Sequence, residues 1–314
     1  MTDLMPQRKL GSTGVHVSAI GLGGSHIGKP KLITREAIHL MHGAINAGIT
    51  FFDNCWDYNG GESERRMGKA LKGGYREKVF LMTKLDGRTR KEASKQLDQS
   101  LHRLEVDHID LLQHHEVIRY EDADRIFAAG GAMEAFVKAR EQGKIRWIGF
   151  TGHKDPAVHA YMLEVAERHG FRFDTVQMPL NPFDAHFRSF ERKVLPKLVA
   201  HGIGVLGMKS MGSGVLLQSK TLTAVECLRY ALHLPTSVVI TGIDSEEVLQ
   251  QAIQVAAMEA LADGEAEELR QRTLAAAKGG QYELFKTSSV FDSTAKNPKW
   301  LGEETEEVLT LAEA

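Results

Sequence analysis

The chain has 314 residues, of which 42% are hydrophobic, and its 39 Lys+Arg against 41 Asp+Glu leave a formal net charge of -2. That balance provides no basic field for nucleic acid or an anionic membrane, and no apolar run approaches the roughly 18 residues of a membrane span. Cys55 and Cys227 are too few for a disulfide framework or a thiolate metal site, and the N-terminus lacks an apolar signal core, so one cytoplasmic domain over residues 1–314 is expected.

Arg8 to Val17 reads as a small hairpin turning over Gly11-Ser12-Thr13-Gly14, placed to plug the floor of a barrel. Short β-rich apolar runs then begin near Ala19, Thr50, Val79, His108, Ile145, Asp174, Ile203 and Ser237. Each precedes a segment of helical period. In Thr34 to Ala47, for example, Ala37, Leu40, Met41 and Ala44 recur at i, i+3, i+4 and i+7, and Gly48 supplies the stop. Strand, helix and strand recurring at about 30 residues is the βαβ crossover, which produces a parallel sheet. Eight such units between residues 19 and 262 predict a single α/β domain, a (β/α)8 TIM barrel. The strands show little alternation, as expected where both faces are covered. A doubly wound dinucleotide fold would require G-x-G-x-x-G after the first strand, but Gly21-Leu22-Gly23-Gly24-Ser25-His26 has histidine where the third glycine belongs. Beyond the barrel, Glu265 to Ala277 reads as a helix. The tail from Gly279 to Ala314 carries Tyr282, Phe285, Phe291 and Trp300. Aromatics are unusual in a disordered tail, so its first part, around Tyr282 to Lys286, is expected to fold over the barrel mouth.

Barrel enzymes place their chemistry where strands end, on the C-terminal face. Here the second strand ends at Asp53, with Trp56, Asp57 and Tyr58 in its loop, and the third ends at Lys84. The fourth ends at His114-His115, the fifth at Thr151-Gly152-His153, the sixth at Gln177 and the seventh at Met208-Lys209. Each residue alone has an ordinary explanation: a helix cap for Asp53, a solvated loop for Tyr58, a surface ammonium for Lys84. Their joint placement after consecutive strands points instead to a catalytic constellation. His114 and His115 project to opposite faces of their strand, so only one enters the mouth.

The run from Gly48 to Gly68, G-I-T-F-F-D-N-C-W-D-Y-N-G-G-E-S-E-R-R-M-G, resembles the aldo-keto reductase signature. In that family an Asp ends strand two and a Tyr follows five residues later, as Asp53 and Tyr58 do. The family's Lys matches Lys84 in V-F-L-M-T-K, and its His, five residues after an Asp, matches His115 in D-L-L-Q-H-H. The resemblance covers roughly residues 8 to 262. It implies hydride transfer between a nicotinamide cofactor and an aldehyde or ketone, with the alcohol in the reverse direction. Tyr58 would donate the proton, Lys84 would lower its pKa, Asp53 would hold Lys84, and His115 would orient the carbonyl oxygen. It further implies that Gln177 and Thr151 hold the carboxamide, that Met208 lies against the nicotinamide in place of the family's Tyr, and that Lys209 with the Gly212 loop meets the pyrophosphate. Gly152 stands where many members have an Asn, and His153 is either its replacement or a solvated loop residue. His26, Trp56 and Phe183 are expected as walls of the substrate pocket.

Two other readings stay open. One is a non-catalytic, nicotinamide-binding regulatory subunit. The other is a metal-dependent barrel hydrolase or lyase using His26, His114, His115 and His153 with Asp53, which leaves Tyr58 and Lys84 unexplained; no metal is expected on the first-choice reading. Family precedent favours NADP(H), whose 2′-phosphate is held after strand eight. The corresponding loop here, Gly242-Ile243-Asp244-Ser245-Glu246-Glu247, has no Lys or Arg. Ser245 and the helix N-terminus still suit an anion, but the three acidic residues oppose one and make NAD(H) the alternative, unless Lys209 or Lys220 intervenes.

Overall fold

Parallel pairing closes the eight apolar runs into a barrel. In the computed structural model, which describes residues 5–302, its strands are β3 (Ile20–Gly23), β4 (Phe51–Asp53), β5 (Phe80–Leu85) and β6 (Ile109–His114), followed by β7 (Ile145–Thr151), β8 (Thr175–Pro179), β9 (Gly204–Met208) and β10 (Val238–Gly242). The order is β10-β3-β4-β5-β6-β7-β8-β9, and β10 pairs with both β3 and β9. Ahead of it, β1 (Gln7–Lys9) and β2 (His16–Ser18) form the antiparallel hairpin, with Arg8 opposite Val17.

The period of two along each strand sorts its side chains between the barrel interior and the helical shell. Phe51, Phe80, Met82, Leu111, Leu206, Val238 and Ile240 pack together with Leu10 and Val17 of the hairpin, so the hairpin does close the floor. The alternate residues, including Leu22, Phe52, Leu81, Leu112, Phe150 and Val176, join the larger cluster beneath the helices. Helix Thr34–Asn46 shows how the shell is built: it buries Ala37, Leu40, Met41, Ala44 and Ile45, and Gly48 ends the turn at φ 88°. Each fully buried large aliphatic side chain contributes about 1.5–3 kcal/mol.

Gly68 has a packing role. A Cβ there would stand 2.6 Å from the Arg103 carbonyl oxygen, so only glycine lets helix Glu62–Ala70 approach the end of helix Arg90–Leu104. The helix expected from Glu265 forms at Asp263–Thr273, where Glu265 accepts from the Ala262 N–H and fixes an earlier start. Short helices at Leu284–Thr287 and Ser293–Lys296 and a turn at Pro298–Leu301 order the tail. The expected tail beyond residue 302 lies outside the described residues. Among these, no helix is long and apolar enough to cross a membrane.

Candidate active site

The alternation that fills the floor with apolar side chains carries polar ones to the rim. Two residues beyond Phe51 is Asp53, two beyond Met82 is Lys84, and beyond Leu111 come Gln113 and then His115. The strands concerned, β4, β5 and β6, are neighbours. The Lys84 ammonium, 1% exposed, pairs with Asp53 and donates to the Asn54 carbonyl at 2.7 Å and to the Tyr58 hydroxyl at 3.3 Å. Tyr58 sits in the turn after β4, and its ring meets His115 edge-on, with centroids 5.9 Å apart. His114 points the other way: it is fully buried and stacks on Phe136 of helix Ala132–Glu141, 3.9 Å between centroids.

Two carboxylates that no sequence motif assigns to the site surround His115. Asp86, just past β5, lies 2.8 Å from His115 Nδ1, and Asp57 lies 3.8 Å from the same atom. Burial alone would depress this imidazole, but the charge and hydrogen bond of Asp86, helped by Asp57 and Glu116, hold its pKa above the ordinary histidine value. Asp57 is itself pushed up to about 6, by burial first and then by Asp86. The expectation for Tyr58 reverses. Burial, reinforced by Asp53, Cys55, Asp57 and Glu116, drives the phenol well above its usual value. The Lys84 ammonium, paired with Asp53, does not reverse that direction.

The residues assigned to a cofactor gather on the opposite half of the rim. Gln177 donates to Asp53 Oδ2 at 3.2 Å and leaves its own buried Oε1 without a hydrogen-bond partner among the described residues, a free acceptor for a carboxamide. The Thr151 hydroxyl meets the Met208 sulfur at 3.9 Å. No side chain can stand at position 152, because a Cβ would lie 2.2 Å from the Val117 carbonyl oxygen. His153 is buried, not solvated, and its Nε2 lies 3.2 Å from Asp292 of the tail. Lys209 has no carboxylate partner among the described residues. Its ammonium faces the rings of Phe291 and Phe285, 4.4 and 5.8 Å from their centroids, and burial lowers its pKa to about 8. Gly212 closes the adjoining turn by donating to the Lys209 carbonyl. An orphan acceptor and an unmatched cation on one rim fit the polar ends of a nicotinamide dinucleotide.

At the end of β10, Ser245 caps helix Glu246–Ala257 through Val248 N at 3.3 Å. The cation beside Asp244 is neither Lys209 nor Lys220 but Lys31, from the loop after β3, at 2.8 Å. Its charge and hydrogen bond lower the Asp244 pKa.

The expected pocket walls need correcting. His26, expected in the substrate pocket, lies against Gly242, where a Cβ would come within 2.3 Å of the imidazole, beside the loop after β10. Phe183 is fully buried and packs on Tyr282 at 5.9 Å, anchoring the tail. Trp56 stays half-buried at the rim, edge-on to Trp300 at 5.6 Å. The metal set considered from sequence does not assemble: His26, His114, His153 and Asp53 each have separate surroundings.

The tail crosses the mouth. Glu116 accepts from Ser293 N and Thr294 N, Arg88 N donates to the Leu301 carbonyl, and Lys154 pairs with Asp292 at 2.6 Å. Its root is a fully buried trio in which Lys286 lies 2.6 Å from Asp184 and 2.8 Å from Glu283. Burial, with help from the Asp184 charge and against that of Lys286, raises Glu283 to about 7. A carboxyl raised on folding contributes stability that is complete below its unfolded value near 4.3 and is lost as pH rises through about 7. Tail docking should therefore loosen as pH rises from about 4 to about 7, and Glu283→Gln should flatten that dependence; proteolysis of the tail against pH reads both, and an equal slope in the variant would refute the assignment.

The closed parallel barrel, with Asp53, Tyr58, Lys84 and His115 brought together at its C-terminal rim, defines an α/β-barrel protein. The model of the aldo/keto reductase family matches residues 19–225, and the chain belongs to that family, whose members are oxidoreductases. It is 31% identical to an L-galactose dehydrogenase of Arabidopsis thaliana over 225 residues, 67% of each chain. With an aldo-keto reductase of Alternaria alternata it shares 28% over 298 residues, 79% of this chain and 76% of the relative. The fold matches the holo form of an aldo-keto reductase from Bacillus halodurans, with TM-score 0.69 and 23% identity over 89% of this chain and 99% of the other.

Proposed function

We propose that this protein transfers hydride between a nicotinamide dinucleotide and a small aldehyde or ketone, or the corresponding alcohol in reverse. The observation that carries this reading is the junction at Lys84, whose ammonium touches both the Asp53 carboxylate and the Tyr58 hydroxyl. The nicotinamide, when bound, supplies or accepts the hydride. Everything else falls to the chain. Gln177 and Thr151 hold the carboxamide, Met208 lies against the ring, and Lys209 with the turn at Gly212 takes the phosphates. Tyr58 gives its proton to the carbonyl oxygen as negative charge grows there. Asp53 keeps Lys84 charged and aimed, and Lys84 stabilises the phenolate left behind. Asp86, by taking the Nδ1 hydrogen of His115, fixes the imidazole so that Nε2 serves the substrate oxygen. Loss of reduced-nicotinamide absorbance with a reactive aldehyde tests the reading. No turnover with either cofactor over a carbonyl panel, despite tight binding, would favour the regulatory alternative.

NADP(H) is the preferred cofactor on this reading, and Lys31 is the reason. With Asp244 neutralised, Lys31 and the capped helix at Ser245 offer the 2′-phosphate a cation and N–H groups. Glu246 and Glu247 stay exposed and temper the preference. Lys31→Ala should raise the Kd for NADPH about fivefold, the worth of roughly 1 kcal/mol, and leave NADH unchanged. Parallel fluorescence titrations with the two cofactors measure this; equal weakening of both would place the 2′-phosphate elsewhere.

A further inference from the structure

Beside the tetrad, and independent of the hydride-transfer reading, is a cluster that the mechanism uses only in part. Cys55 and Asp57 come from the loop after β4, Asp86 from the end of β5 and His115 from the end of β6. One ligand-type atom from each of the four lies within 4.8 Å of all the others. Cys55 Sγ is 3.2 Å from His115 Nδ1, which is 2.8 Å from Asp86 Oδ1 and 3.8 Å from Asp57 Oδ1. We propose that these four residues form a binding site for a thiophilic divalent cation, with Zn2+ as the ion whose chemistry fits.

Four observations support the assignment. Tetrahedral zinc with bonds of about 2.0–2.3 Å sets its ligand atoms roughly 3.3–3.8 Å apart; the three separations from His115 Nδ1, 2.8 to 3.8 Å, lie within about half an ångström of that range, and the widest pair, within 4.8 Å, closes by about 1 Å through side-chain rotation. The donors are a thiol, an imidazole and two carboxylates, a mixture that suits zinc and lacks the all-oxygen shell that magnesium or calcium takes. The hydrogen-bond account is also incomplete. Asp86 Oδ2 and Asp57 Oδ1 are buried without a hydrogen-bond partner among the described residues, and their side chains are 0% and 7% exposed. Buried carboxylate oxygens are costly unless something positive faces them. A cation among the four residues meets both. The ligands also stand on three consecutive strand ends, a rigid support that needs no folding around the metal.

Binding is a proton exchange without redox change. The Cys55 S–H bond breaks as the S–Zn bond forms, the imidazolium form of His115 gives up its Nδ1–H proton as that nitrogen coordinates and keeps Nε2–H, and both released protons go to solvent. Coordination through Nδ1 leaves the remaining imidazole proton on Nε2, the opposite tautomer to a neutral imidazole that donates Nδ1–H to Asp86, and so makes His115 a hydrogen-bond donor toward the barrel mouth.

The test uses the full chain, freed of metal by a chelator and titrated with Co2+ as a spectroscopic substitute. Wild-type protein should bind one Co2+ with a thiolate-to-cobalt charge-transfer band and the strong visible bands of tetrahedral cobalt, and Zn2+ should bleach both. Cys55→Ala should abolish the charge-transfer band, Asp86→Asn should weaken Co2+ binding at least about tenfold, and Cys227→Ser should change neither. Absence of a thiolate band in wild-type protein overturns the site, as does loss of the band in the Cys227 variant instead of the Cys55 variant. The wild-type spectrum decides even if a variant fails to fold. None of these readouts requires the enzyme to turn over, so failure here and failure of the carbonyl-reductase reading are separate results.

Discussion

Tyr58→Phe should lower turnover by roughly two to four orders of magnitude, the contribution of a positioned proton donor. The substitution removes only the hydroxyl. The ring remains edge-on to His115, and the Lys84 ammonium keeps its contacts with Asp53 and the Asn54 carbonyl, so the rim should hold its shape. Cofactor binding should stay within a few-fold, because Gln177, Met208 and Lys209 stand on β8 and β9, across the barrel from β4. Single-turnover rates at saturating cofactor would locate the loss in the chemical step. Turnover near normal in the phenylalanine variant would remove Tyr58 from the mechanism and the Lys84 junction with it. Lys84→Met is a poorer probe, since it strands Asp53 as a buried unpaired charge and mixes a stability defect with any catalytic one.

Most of the scaffold was legible because each strand is a short apolar run and each helix shows its 3.6 period, both local properties of the chain. The catalytic candidates were legible for the same reason, since a polar residue ending an apolar strand announces the rim, and parity separates His115 from His114. Asp86 carries the same signal, a carboxylate directly after β5, yet went unassigned because nothing sequential links it to His115, 29 positions away. Lys31 and Asp244 are 213 positions apart and meet only because barrel closure sets β3 beside β10. The same closure turns the first loop toward the eighth strand and sets His26 against Gly242, a contact no local pattern signals. The Tyr58 error was one of magnitude. An adjacent ammonium lowers a phenol's pKa in isolation, but here it is paired with Asp53, and burial decides the direction. Phe183 looked like a pocket wall because a large aromatic after a strand end suits either role, and only the docked tail shows which.

The tail itself supplies the other large effect. Lys286 is fully buried between Asp184 and Glu283, and its ammonium also donates to the Phe187 carbonyl at 2.7 Å. Asp184 is further committed to the N–H groups of Phe190 and Glu191, so it cannot turn away to find another partner. Lys286→Met keeps most of the side-chain volume but leaves two carboxyl groups sharing a dry site. Breaking a buried pair in this way costs about 3–5 kcal/mol. Part of that cost is relieved if Glu283 stays protonated, which its raised pKa favours below pH 7, so the penalty should grow as pH increases. The variant should melt lower and lose protection of residues 279–302 from proteolysis before the barrel unfolds. Because Glu116, His153 and Lys154 reach that segment from the rim, its release should also open the substrate side and raise KM more than it lowers kcat. Glu283→Gln in the same background should recover part of the stability at pH 8 by removing one of the two charges. A Lys286→Met protein with unchanged melting and unchanged proteolysis would mean that the aromatic contacts at Tyr282, Phe285 and Trp300 hold the tail without the ion pair.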